Sequence, residues 1–195
     1  MAKYNGKDLL IQRAYDASTA WLATTAYTVG QVRKNGGNVY RCITAGTSAA
    51  SGGPTTTAAD ITDGTAHWSY VSVLSGNYGY STIAGMRSTS VKLNNEQVDV
   101  TDKGDAPWRQ LQECGVRSME LSASGVFRND TVMSDIMNDV NTGAIQLFRI
   151  TSGRGDQWQG SFLVASCERS GEYNKEEQYS LSLSSAGEIA YTPAA

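Results

Sequence analysis

The sequence predicts a mainly β fold, a sandwich or barrel of two packed antiparallel sheets with a flanking helix, and a small all-β domain inserted near its start. Three observations lead to this prediction. The 195-residue chain has 20 glycines but only 3 prolines and is rich in Ser and Thr, which favours strands joined by turns. Several stretches alternate apolar and polar residues with the period of a strand. Residues 17–75 differ in composition from both flanks.

The alternation is clearest between Arg117 and Phe127. One face of this predicted strand is apolar, with Met119, Leu121, Ala123 and Phe127. The other face carries small or charged polar side chains, namely Ser118, Glu120, Ser122 and Ser124. Residues 179–184, 82–93 and 161–169 also predict strands. An apolar side against a core and a polar side elsewhere is typical of an antiparallel sheet with one wet face.

One helix is predicted after Asn129 or Asp130, either of which can cap its first turn. Its apolar residues recur at helical spacing and are Val132, Met133, Ile136, Met137 and Val140. Gly143 ends it. A shorter helix is predicted from Pro107 to Cys114. The polar, turn-rich segment 94–106 before it is long for a hairpin connection, so we expect it to be functional or mobile.

The segment 17–75 is rich in Thr, Ala and Gly and almost free of carboxylates. It carries a net charge of +1, whereas the whole chain carries −3, so the remainder carries −4. This change of composition indicates an insertion. The predicted domains are therefore a host domain of residues 1–16 and 76–195 and an inserted domain of residues 17–75.

Charge and composition exclude several classes of protein. A net charge of −3 and a pI of about 5.2 argue against a nucleic-acid binder, which needs clustered Lys and Arg. No apolar run approaches the roughly 20 residues of a membrane helix, so no membrane is predicted. The first residues lack an apolar signal segment, so we expect no Sec export. Cys42, Cys114 and Cys167 form no CxxC pair and are predicted to be reduced thiols.

Signals of catalysis are weak, and no catalytic, metal or cofactor site is predicted. His67 is the single histidine, so it has no histidine partner for acid–base work, and we assign it a structural role. Residues 153–156 look like a phosphate loop, but no Walker lysine follows, so a turn is predicted; its Arg-Gly-Asp triplet is a chance match. The glutamates between Glu168 and Glu177 are interpreted as a solvated face rather than an acid pair.

The host segments carry a set of short sequences in a fixed order. They are residues 2–10, 80–90, 93–101, 108–111, 125–127, 171–174 and 179–187. In this order they resemble the major tail tube proteins of non-contractile long-tailed phages and gene transfer agents. The resemblance covers nearly the whole chain outside the insertion. Relatives usually connect the strand at Leu9 to the strand at Thr82 by a short turn, whereas here about sixty residues intervene.

The resemblance implies a virion protein made in the bacterial host cytoplasm. Six copies form a ring, and rings stack into a tube around a DNA-sized channel walled by a continuous β-barrel. The other implied partners are the tail terminator, tape measure and distal tail proteins, and DNA that passes without specific binding. The candidate lumen-facing residues are Ser118, Glu120, Ser122 and Ser124. The candidate loop between rings contains Asn95, Glu96, Asp99, Asp102, Lys103 and Asp105.

The insertion is similar to small chitin-binding-type carbohydrate modules. The similarity rests on Trp21 and on residues 27–32, 35–42, 45–48, 53–54, 63–65 and 68–70. Aromatic rings stack on the apolar faces of sugars, which makes Trp68, Tyr70 and Tyr40 candidate glycan contacts. The alternative is that these rings form the core of a very small domain. In virions such a module often only decorates the surface, with surface glycans as its partner.

Two other functions stay open at this point. One is a free carbohydrate-binding protein with an attached β-sandwich, which would be monomeric. The other is the tube of a contractile injection or secretion system, which would be surrounded by a sheath. Electron microscopy distinguishes bare tubes, sheathed tubes and monomers.

Overall fold

A computed structural model describes residues 5–103, 108–113 and 115–194. The chain divides into two compact units. The first, here called the helical unit, comprises Met1–Leu10, Ala84–Gln146 and Ile150–Ala195. The second, here called the aromatic unit, comprises Ile11–Ile83 with Leu147–Arg149. Packed antiparallel sheets and one α-helix among the described residues confirm the predicted mainly β fold class.

The elements follow one another in an almost unbroken series of strands. A short 3-10 helix covers Gly6–Asp8. The strands are β1 (Leu10–Asp16), β2 (Ala26–Tyr27), β3 (Val32–Asn35), β4 (Asn38–Thr44), β5 (Gly46–Thr47), β6 (Ile61–Asp63), β7 (Ala66–Val73), β8 (Tyr78–Thr82), β9 (Met86–Asn95), β10 (Val98–Asp99), β11 (Leu111–Gln112), β12 (Arg117–Val126), β13 (Ile145–Thr151), β14 (Gln157–Ser170) and β15 (Gln178–Thr192). The helix α1 is Thr131–Thr142 and lies between β12 and β13 in the chain.

The helical unit is built on four long strands that lie side by side in the order β14, β15, β12 and β9. Each neighbouring pair is antiparallel. The strands bury their apolar residues on one face, and the helix adds a second layer. The core consists of Met119, Leu121, Ala123, Phe162, Val164, Leu181 and Leu183 with Val132, Met133 and Ile136 of the helix. The alternation that predicted β12, β14 and β15 is therefore confirmed.

The helix begins and ends as its capping residues predict. Asp130 has an extended backbone, and its carboxylate accepts a hydrogen bond of 2.8 Å from the backbone N–H of Met133. This bond satisfies one of the free donors of the first turn. Gly143 adopts the left-handed conformation, with φ of 66°, and its N–H donates to carbonyls of the last turn.

The strand predicted over residues 82–93 is interrupted. β8 ends at Thr82, and β9 begins at Met86. Gly85 lies between them with φ of 74°, which favours glycine. A Cβ atom at Gly85 would also overlap the carbonyl oxygen of Val126. Residues 83–86 do not alternate, and Gly85 among them is the sequence signal of the break.

The short helix predicted from Pro107 to Cys114 is wrong for the described residues 108–113. Leu111 and Gln112 form β11, which pairs with β10. An isolated short helix needs an apolar stripe against a core. Trp108 and Leu111 are both exposed instead, so no such stripe is buried. Pro107 and Cys114 lie outside the described residues.

The aromatic unit contains β1 beside β8 and two smaller sheets. β1 and β8 pair from Gln12 opposite Thr82 to Asp16 opposite Tyr78. The chain between them forms a four-stranded sheet in the order β3, β4, β7, β6 and the two-stranded pair of β2 and β5. The N–H of Ala17 donates to the carbonyl of Asn77 at 2.8 Å. The segment predicted as an insertion thus leaves and returns at one place, although its boundaries at residues 17 and 75 stay a prediction.

Among the described residues, no helix combines the length and the apolar character needed to cross a membrane.

Candidate assembly surfaces

The face of strands β14, β15, β12 and β9 that turns away from the core of the helical unit is rich in serine. Strand register places Ser90, Ser122, Ser182 and Ser166 in one row across all four strands. The hydroxyls of Ser166 and Ser182 are 2.6 Å apart and hydrogen-bonded. The next row is Ser88, Ser124, Ser180 and Glu168. Three of the four predicted lumen residues, Ser118, Glu120 and Ser122, are exposed on this face, and Ser124 is half-buried.

A third row adds charge to this serine face. Glu120 lies opposite Lys92 on one side and Ser184 on the other. The ammonium nitrogen of Lys92 is 3.4 Å from a carboxylate oxygen of Glu120, and both side chains are largely in solvent. An exposed pair of this kind contributes little to stability. The nearby ammonium group partly neutralises the charge of Glu120. The sequence did not predict this pair because Lys92 is distant along the chain.

The segment predicted to contact a neighbouring ring continues from β9 as a two-stranded arm. We define the arm as residues 96–103 and 108–113. Val98 pairs with Gln112 and Asp99 with Leu111, and the N–H of Val100 donates to the carbonyl of Gln110. Of the predicted contact residues, Asn95 ends β9, whereas Glu96, Asp99, Asp102 and Lys103 lie exposed on the arm. Asp105 lies outside the described residues.

The arm has two chemically different faces, because successive residues of a strand point to opposite sides. In its paired part, the neutral face carries Val98, Val100, Gln110 and Gln112, and the same alternation puts Glu96 and Asp102 at the two margins of this face. Its charged face carries Asp99, Thr101, Arg109 and Leu111. Val98 and Val100 are 38% and 46% exposed, so the apolar part of the neutral face is accessible.

Hydrogen bonds hold the charged face of the arm together. The carboxylate of Asp99 accepts from the Thr101 hydroxyl at 2.6 Å and from the Thr101 N–H at 3.0 Å. The Arg109 guanidinium donates to the same carboxylate at 2.9 Å. The Thr101 bonds, followed by the nearby Arg109 charge, hold the pKa of Asp99 below its ordinary value. The Thr101 bonds lie within one strand, and the Arg109 bond ties the two strands of the arm to each other.

The opposite end of the same four strands is closed by the connection between β14 and β15, residues 171–177, here called the far turn. Val126 at the end of β12 lies opposite Gln178, and Gln178 lies opposite Ser170. Tyr173 in the far turn is 96% exposed. The charged residues around it form pairs, which are Lys175 with Glu172, Arg87 with Glu176 and Arg169 with Glu177.

In the aromatic unit, two of the candidate glycan contacts, Trp68 and Tyr40, lie in the core. Trp68 and Tyr40 have no exposed surface and form a core cluster with Tyr27 and Cys42. The rings of Tyr27 and Trp68 meet edge to face with centroids 4.8 Å apart. In this arrangement neither Trp68 nor Tyr40 can stack on a sugar, because each ring is covered by its own unit. Tyr70 is half-buried against the cluster, and its glycan contact stays a prediction.

Asp63 organises this aromatic core, a role that sequence reasoning missed. One carboxylate oxygen accepts hydrogen bonds from the indole nitrogens of Trp21, at 2.7 Å, and Trp68, at 3.0 Å. The other oxygen accepts from the backbone N–H of Ala49 at 2.9 Å. A buried carboxylate is stable when its oxygens are hydrogen-bonded in this way. The one signal in the sequence was a carboxylate in a segment with almost none.

The remaining chemical candidates form structural contacts. His67 bonds Asp60 across 2.7 Å at the surface. Asp156 of the Arg-Gly-Asp triplet accepts from the Ala194 N–H, the Ser152 hydroxyl and the Tyr191 hydroxyl. Among the described residues, no group of His, Cys, Asp or Glu is arranged to hold a metal ion.

The described cysteines occupy apolar surroundings. Cys42 is buried and Cys167 half-buried, and neither forms a disulfide. Burial raises the pKa of both thiols, so they stay protonated near neutral pH. Cys114 lies outside the described residues.

The chain matches one protein-family model and is similar to chains in solved structures of gene transfer agent particles. The family model described as phage tail tube protein matches residues 69–191. A chain in the virion of a native gene transfer agent particle is 33% identical, with a TM-score of 0.56, covering 58% of this chain and 89% of that chain. A chain in the tail of an empty gene transfer agent particle, refined helically with C6 symmetry, is 34% identical at a TM-score of 0.56, covering 61% and 89%. A search of curated proteins found no match.

Proposed function

The chain belongs to the phage tail tube protein family, and from that premise we propose that six copies form a ring and that rings stack into a tube that conducts DNA to the host cell. The family is structural rather than a class of enzymes, and one similar chain belongs to a virion and the other to a particle tail. The C6 symmetry of the gene transfer agent tail is the observation that carries the sixfold ring. The other partners proposed are the tail terminator, tape measure and distal tail proteins.

Electron cryomicroscopy of assembled particles tests the ring directly. We expect sixfold rings in register along a bare tube. A sheath around the tube would favour the contractile alternative, and a monomer that binds chitin would favour a free carbohydrate-binding protein. A stable monomer inside intact tails would overturn the proposal.

The serine face of the sheet, including Ser118, Glu120, Ser122 and Ser124, is proposed to line the channel. Hydroxyl rows and one carboxylate–ammonium pair give this face hydrogen-bonding capacity without an excess of positive charge. DNA carries about one negative charge per 1.7 Å of its axis, so a basic wall would retain it. A wall of hydroxyls lets it slide.

A pair of matched lysine substitutions tests this channel wall. Ser122→Lys adds one positive charge to the serine face, and Asn138→Lys adds one to the exposed side of the helix. Glu120→Lys is the stronger change, because it removes a carboxylate and places a second ammonium group beside that of Lys92. We expect both serine-face variants to slow DNA delivery while particles still assemble, and Asn138→Lys to leave delivery unchanged. Equal delivery by all three variants would contradict the assignment.

The arm, with Asn95, Glu96, Asp99, Asp102 and Lys103, is proposed to reach the neighbouring ring, and Asp105 is included from the sequence alone. Its support is an ordered two-stranded structure that exposes apolar side chains beyond the sheet. Shortening residues 94–107 should leave a folded subunit that forms rings but does not extend into tubes. Normal tails from that variant would count against the proposal.

The inserted segment is proposed to be a separate module on the tube exterior. Asp16 and Tyr78 are paired neighbours, so the segment can be removed where its two ends meet. Replacing residues 17–75 by a short Gly-containing turn should leave tubes that assemble but bind cell-surface polysaccharide less, with Tyr70 as the candidate contact. If the shortened chain does not fold, the segment is part of the host core.

A further inference from the structure

The four strands β14, β15, β12 and β9 of the helical unit carry different chemistry at their two ends. Strand β12 runs from Arg117, next to the arm, to Val126, next to the far turn. At about 3.4 Å per residue, its ten residues separate the two ends by roughly 30 Å. The arm of one copy therefore does not contact its own far turn, and any contact between them joins two copies.

The far turn presents an aromatic ring among charges that are already paired. Tyr173 is almost fully exposed, and Asn174 after it has φ of 70°, a conformation typical of a tight turn. Glu172, Glu176 and Glu177 each have a cationic partner within 3 Å. The Arg169 guanidinium also stacks 3.7 Å above the ring of Phe127. Tyr173 is thus the exposed side chain here that can enter an apolar contact without breaking an ion pair.

The neutral face of the arm fits such a ring. Val98 and Val100 offer methyl groups, and the amide of Gln112 can bond the phenol hydroxyl. Burying a ring on the charged face would remove water from Asp99 and Arg109, and desolvating such an ion pair is costly. Interfaces are depleted of charge at their centre and enriched in Tyr.

We propose that Tyr173 in the far turn of one copy packs on the neutral face of the arm of a second copy, with Val100 at the centre of the contact. This proposal rests on the proposed function, because it names the surfaces through which the arm joins two rings. The contact is head-to-tail: each copy offers an arm at one end and a tyrosine at the other. A head-to-tail contact whose rotation does not close into a ring repeats along a filament.

Site-directed cross-linking in assembled particles tests the pairing. The chain carrying Val100→Cys and Tyr173→Cys is co-assembled with wild-type chain and treated with copper–phenanthroline, which oxidises two adjacent thiols to a disulfide. We expect cross-linked dimers and higher multiples on a non-reducing gel. The matched control combines Leu111→Cys with Tyr173→Cys. Leu111 lies on the charged face of the same arm and is 50% exposed, so it should give no more than the wild-type background.

A second pair of variants does not depend on cysteine chemistry. Val100→Lys places a charge on the neutral face, and Leu111→Lys places the same charge on the charged face, opposite the carboxylate of Asp99. We expect Val100→Lys and Tyr173→Ser each to lower the yield of tubes at least tenfold while rings persist. Leu111→Lys should assemble nearly as wild type.

The outcomes separate this inference from the proposed function. Tubes that form without a Val100–Tyr173 cross-link, or with a stronger Leu111–Tyr173 cross-link, overturn the pairing and leave the tube intact. Tubes of normal yield from Tyr173→Ser also overturn it. A wild-type protein that forms neither rings nor tubes overturns the proposed function itself.

Discussion

The sheet of the helical unit and the four-stranded sheet of the aromatic unit bury their cores by different means. In the first, long strands alternate serine with aliphatic residues such as Leu121 and Leu183, and the aliphatic side chains form the core. In the second, short strands bury Tyr27, Tyr40 and Trp68 around the carboxylate of Asp63. A small domain has little interior, so a few large rings supply most of its buried area. Aromatic residues in a small inserted domain therefore indicate a core before they indicate a ligand site.

The largest expected effect distinguishes the two cores. Trp68→Ala should cost about 3–5 kcal/mol in the free energy of unfolding, since it removes a fully buried ring. Leu121→Ala should cost about 2–5 kcal/mol. Hydrogen exchange should show β4 and β7 losing protection in the first variant and β12 and β15 in the second. Loss of protection throughout both sheets in either variant would mean that the cores do not respond separately.

The carboxylate in the aromatic core gives the next largest effect. Asp63→Ala leaves the buried indole donor of Trp68 without its acceptor, at a cost of about 1–3 kcal/mol. The donors of Trp21 and Ala49 are only partly buried and can bond water instead. Asp60→Asn is the matched control, because Asp60 is exposed and should change stability by no more than about 0.5 kcal/mol. Chemical denaturation measures both. An Asp63→Ala protein as stable as the control would show that the indole bonds do not support the core.

Acid should weaken the bonds of the charged face of the arm only at low pH. The pKa of Asp99 is lowered in the folded protein, so its bonds to Thr101 and Arg109 stabilise the arm above the ordinary value of 3.8 and are lost as the pH falls through the lowered value. NMR titration of the Asp99 carboxyl carbon should give a midpoint below 3.8. Thr101→Val removes the largest cause and should raise that midpoint. A midpoint at or above 3.8 in the wild type would contradict these contacts.

The smallest effect is expected on the serine face. Ser122→Ala removes an exposed hydroxyl from the row of four serines and should change the free energy of unfolding by less than about 0.5 kcal/mol. Thermal unfolding measures it. A larger loss would show that the hydroxyl row stabilises the subunit, and the polar face could then not be attributed to a channel alone.

Local features were readable from the sequence. The helix begins after Asp130 and ends at Gly143 because a cap and a left-handed glycine act on the residues next to them. The buried and exposed sides of β12 follow from its alternation, since the period of a strand is two. The ordered segments of the host domain were sufficient to indicate the tail tube family, which the family match over residues 69–191 bears out.

The tertiary structure alone decided the contacts between residues distant along the chain. The sequence left both a core role and a glycan contact open for Trp68 and Tyr40, with the core favoured for Tyr40, whereas the fold packs both rings with Tyr27 and bonds Trp68 to Asp63. A strand pair stands where the sequence predicted a short helix near Trp108. Leu111 pairs with Asp99 of the neighbouring strand and is not covered by a core. Periodicity describes one segment at a time, whereas burial and pairing depend on which other segments the fold brings beside it.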